Sequence, residues 1–235
     1  MMVALDPFLE VFRSMRNAFV RHHAPAELLR SFDPSSPIQD YYFTDDRNAL
    51  MDAVQRGDLD IPFEDEWEGF LQRGGRRCAL ENADLAPHYG DIRGRTYKEI
   101  IENGLRVIAK ARDVGRRKWV GFKDVWTIEF LRPLAAAFPE ARFIIIRRDP
   151  RATINSNLGG IKTDPSGVAD ALSYARHWRK YVAFAVHYQN DPLFRGRLFI
   201  VTHEGVLREP EKKAREMCEF LEVGFEPAML DTNNY

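Results

Sequence analysis

The sequence predicts an α/β protein with parallel strands, and three stretches carry that prediction. Phe143 to Ile146 is an aromatic residue followed by three β-branched ones, the composition of a strand. Trp119 to Phe122 and Leu198 to Thr202 are two further short apolar runs. Between and after them lie stretches with helical spacing, so strands alternate with helices. A strand–helix–strand crossover is nearly always right-handed, which places the Trp119 and Phe143 strands parallel in one sheet.

Taken in order, the chain opens with a helix over Pro7 to Val20, in which Phe8, Phe12, Met15 and Phe19 recur at core spacing. Ser31 to Pro37 reads as a loop. Residues 38–95 mix short helical stretches with Gly, Pro and acidic breaks, and are expected to be irregular and substrate-facing. IPFEDEWEGFLQRGG reads there as a short helix ending at Gly74. Tyr97 to Arg112 is a stronger helix, with Ile100, Ile101, Leu105 and Ile108 on its apolar side. Thr127 to Phe138 is amphipathic through Ile128, Leu131 and either Leu134 or Ala135, and Pro139 ends it. Gly159 to Gly167 is a loop. Gly167 to Asn190 is a long helix with a stripe of Val168, Leu172, Ala175, Trp178, Val182 and Val186. Pro210 to Leu221 is the last, with Ala214, Met217, Phe220 and Leu221 facing inward.

Composition narrows the class. At 235 residues, with 45% apolar and 29% charged, the chain has the make-up of an ordinary globular domain. Its net charge of −1 argues against a nucleic-acid partner. Cys78 and Cys218 are too few for a disulfide framework. No apolar run reaches the roughly 20 residues of a membrane span, and the N-terminus lacks the basic-then-apolar pattern of a signal peptide. A cytoplasmic location is the expectation. His22 and His23 have no further ligands at metal spacing, so no metal is expected.

The chemistry concentrates in FIIIRRDPRATINSN. Arg147 and Arg148 end a strand, Asp149 is a good helix cap, and Pro150 suits the first helical position. A helix N-terminus beside a strand-end guanidinium favours phosphate or sulfate. Ser156, eight residues after Arg148, can add a hydroxyl to the same anion. Exposed arginines also flank ordinary α/β strands, so spacing alone leaves a solvated turn as the alternative.

This segment resembles the 3′-phosphate-binding segment of sulfotransferases that use 3′-phosphoadenosine-5′-phosphosulfate (PAPS). Arg148 and Ser156 fall on the family's Arg and Ser positions. VGFKDVWTIEFLRPLAAAFPEARFIII is similar to the strand, Lys-Asp turn and helix that precede the motif, and LFIVTHEGVLREPEKKAREMCEFLEV to the later strand and helix. The likeness covers residues 97–226. It implies a three-layer, P-loop-like parallel sheet flanked by helices. It also implies one sulfotransferase-like domain over residues 1–235, with PAPS as co-substrate and Arg148 and Ser156 as its 3′-phosphate ligands.

The chain departs from the family at one point. The Gly-containing loop that holds the 5′-phosphosulfate, with its Lys or Arg and Ser-Gly-Thr, is not found; Gly57, Gly69, Gly74 and Gly75 stand in the wrong context. The expectation is therefore a chain that omits the first strand and loop, or a degenerate protein that never binds the whole cofactor. Either way little turnover is expected.

Three residues are candidates for catalysis. Asp6 and Glu10 are possible bases, because a carboxylate in this stretch serves some members of the family. Lys123 can face the sulfuryl group or simply pair with Asp124. The acceptor is a hydroxyl or amine of a small molecule, carbohydrate or peptide, with Tyr41, Tyr42, Phe63, Trp67 and Tyr89 available to line its pocket or to pack a core. The competing functions are a non-catalytic binding protein on the same fold and a small-molecule kinase. A kinase would need a Walker loop, which is not visible.

Overall fold

A computed structural model describes residues 2–5, 8–30, 47–112, 118–124, 127–158 and 168–231. They fall into two compact units, residues 1–139 and 140–235. Each unit combines helices with a pair of parallel strands, which bears out the α/β class.

The first unit holds β1 (Met2–Leu5), α1 (Leu9–His23), α2 (Ala26–Leu29), α3 (Arg47–Arg56), α4 (Trp67–Glu81), α5 (Tyr97–Ala111), β2 (Val120–Lys123) and α6 (Leu131–Ala137). β1 pairs parallel with β2, from Met2 opposite Val120 to Leu5 opposite Lys123. The core is aromatic: Phe8 meets Phe122 edge-on at 4.8 Å, and Phe12 stacks on Phe130 at 5.3 Å. Phe8, Phe12, Met15 and Phe19 are fully buried, as their spacing predicts. α5 begins at Thr96, whose hydroxyl accepts the Glu99 N–H, and its buried face is Ile100, Ile101, Gly104 and Ile108. Gly104 is there because Phe8 is: a Cβ on Gly104 would stand 2.3 Å from the Phe8 ring.

The first unit departs from expectation in two places. The described part of residues 38–95 is largely helical, and α4 does not stop at Gly74 but runs to Glu81. Glu66 caps α4 by accepting the N–H groups of Glu68 and Gly69, at 2.9 and 2.7 Å. Gly74 is a packing residue within the helix, since a Cβ there would lie 2.1 Å from the Tyr89 hydroxyl. The predicted helix from Thr127 also divides: Thr127–Phe130 is a 3₁₀ turn, and α-helix begins only at Leu131. Pro133 sits in the first turn of α6, the one place in a helix where its missing N–H and its ring are tolerated.

The second unit contains β3 (Phe143–Arg147), α7 (Pro150–Leu158), α8 (Val168–Asn190), β4 (Leu198–Thr202), α9 (His203–Arg208) and α10 (Pro210–Leu221). β3 pairs parallel with β4, from Phe143 opposite Leu198 to Arg147 opposite Thr202. The strand–helix–strand reading put the Trp119 and Phe143 strands in one sheet; the hydrogen-bonded neighbours found are instead β1 for β2 and β4 for β3. Parallel neighbours need not follow chain order, and local sequence does not specify them.

Side chains alternate across the β3–β4 pair. Phe143 meets Phe194 at 5.6 Å, and Phe194 meets Tyr188 of α8 at 4.8 Å. On the opposite face Phe199 meets Phe220 of α10 at 5.5 Å. β3 is less buried than its composition suggests: Ile145 is enclosed but Ile146 is 51% exposed. The stripe expected on α8 is also displaced. Leu172 and Val186 are exposed, while Phe184, Ala185 and Tyr188 are buried.

Candidate active site

The junction of β3 and α7 is built by Asp149. Its carboxylate accepts the N–H groups of Arg151 and Ala152, at 2.8 and 3.3 Å, and so caps the helix that Pro150 starts. The Arg151 guanidinium closes on the same carboxylate at 2.9 and 3.2 Å. This pairing, with the two backbone bonds, pulls the Asp149 carboxyl down to about 2. The Asp149 carbonyl accepts from the N–H and the hydroxyl of Thr153, at 2.9 and 3.0 Å.

Beside this junction lies an open recess of about 460 Å³, lined by Arg147, Arg148, Asp149, Pro150, Trp178, Val182, Thr202 and Glu204. It sits at the carboxyl ends of β3 and β4, where parallel sheets place their ligands. Its two acids are already engaged. Asp149 caps α7, and Glu204 accepts the Asp149 N–H at 2.8 Å, which lowers the Glu204 carboxyl below the usual range. Of its two arginines, Arg148 is exposed, and Arg147 has a buried Nε with no partner among the described residues. Arg147 and Arg148 both line the recess, and a guanidinium group matches phosphate oxygens in shape and charge. The residues present therefore fit a phosphate-bearing ligand. Trp178, Val182 and Pro150 add an apolar wall.

Ser156 stands on the exposed side of α7, seven residues beyond Asp149 and so two turns further along the same helix face. It is not among the recess-lining residues. Trp178, expected in the apolar stripe of α8, lines the recess and donates its indole N–H to the Arg148 carbonyl at 2.8 Å. Tyr181, one turn on, donates to the Ile146 carbonyl at 3.2 Å, and burial pushes its hydroxyl up to about 12. His177 is held down to about 4 by burial, with Lys180 adding to the effect.

The other candidates belong to the first unit. Lys123 is exposed at the carboxyl end of β2, next to buried Asp124. Glu10 is buried on α1, with one oxygen on Arg13 at 3.0 Å and the other on Arg73 at 3.1 Å. Arg73 also holds Asp65 at 2.8 Å. Asp6, Tyr41, Tyr42 and the loop 159–167 lie outside the described residues. Phe63 packs on Trp67, Phe70 and Tyr97, at centroid distances of 4.4, 5.1 and 5.5 Å. Tyr89 is buried beside them, so the described aromatics form a core cluster.

Sequence reasoning named Arg147 at the strand end but gave the phosphate to Arg148, and it did not single out Thr202, Val182 or Glu204 as site residues. Thr202 carried a usable signal: it ends a strand and caps α9 by accepting the Gly205 N–H at 3.1 Å, a Thr-x-x-Gly start. Nothing local to Glu204 announces that it reaches the end of β3.

Three comparisons bear on these observations. The sequence is 29% identical over 128 residues to "Protein-tyrosine sulfotransferase" of Drosophila melanogaster, a stretch covering 54% of this chain and 25% of that protein. The chain thus matches about a quarter of the length of that curated relative. A solved structure, "Sulfotransferase Domain from the Curacin Biosynthetic Pathway", aligns with 98% of this chain and 77% of its own, at 17% identity and a TM-score of 0.44. The sequence profile described as "Sulfotransferase family" matches residues 13–227, nearly the whole chain, and the protein belongs to that family.

Proposed function

We propose that the chain, acting as one sulfotransferase-like domain, binds PAPS and passes its sulfuryl group to a hydroxyl or amine. Arg148 holds the 3′-phosphate of the nucleotide, with Arg147 adding charge and Ser156 a hydroxyl. The observation that carries this reading is the recess at the β3–α7 junction. There Arg147 and Arg148 line the recess, and its two acids already accept backbone amides. In the transfer, the bond from sulfur to the phosphate oxygen breaks and a bond to the acceptor oxygen or nitrogen forms. The acceptor's proton passes to a base, and adenosine 3′,5′-bisphosphate leaves.

Lys123 is assigned to the charge of the transferred group, because it is a cation at the carboxyl end of a parallel strand. Glu10 is a weaker candidate for the base, since Arg13 and Arg73 already occupy both of its oxygens. Asp6 follows β1 in sequence and is the carboxylate to test first. The named relative makes a phenolic hydroxyl the first acceptor to try.

Calorimetric titration tests the reading. The chain should bind adenosine 3′,5′-bisphosphate in preference to ATP, and Arg148→Ala should weaken the former by at least about tenfold through loss of a charge-assisted contact. Equal binding of the two nucleotides, or an unaffected variant, would sink it.

A further inference from the structure

One peptide unit in the recess is gripped at both ends by side chains. The carbonyl of Arg148 accepts from the Trp178 indole at 2.8 Å, and the N–H of Asp149, across the same peptide bond, donates to Glu204 at 2.8 Å. The two side chains come from different elements, α8 and α9. A peptide group is planar, so fixing both of its polar ends fixes its plane. The plane sets ψ of Arg148 and φ of Asp149, the two dihedrals that join β3 to α7. Those dihedrals decide where Arg148 stands relative to the helix that carries Ser156.

From this geometry we infer that Trp178 and Glu204 are positioning residues, which clamp the Arg148–Asp149 peptide so that the anion site is assembled before ligand arrives. The inference rests on the nucleotide reading above for its ligand. The clamp has a second effect. An unengaged carbonyl at Arg148 would offer negative charge at an anion site, and the indole occupies it. The Glu204 carboxylate keeps its charge, and its bond to the Asp149 amide fixes it at the end of β3. Preorganisation of this kind favours affinity because less ordering remains to be done on binding.

The test uses the full chain and three variants. Trp178→Phe removes the indole N–H but keeps an aromatic ring; Glu204→Ala removes the acceptor; Glu204→Gln keeps an acceptor oxygen. Two quantities are read: hydrogen exchange at the Asp149 amide without ligand, and the ratio of affinities for adenosine 3′,5′-bisphosphate and adenosine 5′-phosphate. Glu204→Ala should speed exchange at Asp149. It and Trp178→Phe should each cut the preference for the bisphosphate over the 5′-phosphate by about tenfold, and Glu204→Gln should restore that preference.

Unchanged exchange in Glu204→Ala overturns the clamp, whatever the nucleotide data show. Faster exchange with the preference intact leaves a clamp but overturns its positioning role. A parent chain with no preference for the 3′-phosphorylated nucleotide overturns the nucleotide reading and the positioning role with it, while the exchange data still report on the peptide's two bonds.

Discussion

Asp149 joins structure and site in one side chain. It caps α7, and its carboxyl is held at about 2, chiefly by the Arg151 guanidinium. The folded value lies below the roughly 3.9 of a free aspartate, so the group's contribution to stability is complete above about pH 4. It is lost as pH falls through about 2. In wild type, Tm should therefore drop more between pH 4 and pH 2 than in Asp149→Asn, and the difference should narrow in high salt because Arg151 is 90% exposed. Parallel Tm curves for the two proteins would show that the pairing adds nothing. Asp149 and Pro150 were legible in the sequence because capping is a local code, written within four residues. Glu204 was not, because its bond spans 55 positions and depends on two strands lying side by side.

Among the elements, legibility follows the same division. α5, β4 and α10 stand within a residue of their predicted bounds, since periodicity and terminal residues are enough to define them. β1 was missed. Four residues offer too short an alternation to read, and its partner lies far along the chain. α4 was cut short at Gly74 because glycine ordinarily weakens a helix, and only the nearby Tyr89 hydroxyl explains its presence. Gly104 makes the same point as a prediction. In an exposed helix, Gly→Ala would gain about 1 kcal/mol; here the new methyl would meet a fully buried Phe8 already packed on Phe122. Gly104→Ala should lose about 1–2 kcal/mol net, as overpacking outweighs propensity. Urea unfolding would show this as a lower midpoint at unchanged slope, and a gain in stability would mean that Phe8 can yield.

At the scale of the whole molecule, ligand and stability are linked. If the recess takes adenosine 3′,5′-bisphosphate, a concentration one hundred times Kd should add about 2.7 kcal/mol to the free energy of unfolding and raise Tm by roughly 5–10 °C. ATP at the same concentration should do much less, and equal shifts from both would count against a 3′-phosphate site. The parallel pairing of β1 with β2 bears on a different stage of the protein's life. A ribosome adds roughly 5–20 residues each second, so β1 is made several seconds before the strand it pairs with. Through that interval its backbone amides have only water, or some other chain's strand edge, to bond with. The β3–β4 pair closes over about half that stretch of chain. During synthesis, then, the first unit begins earlier and waits longer, and its opening strand is where a chaperone has most to protect.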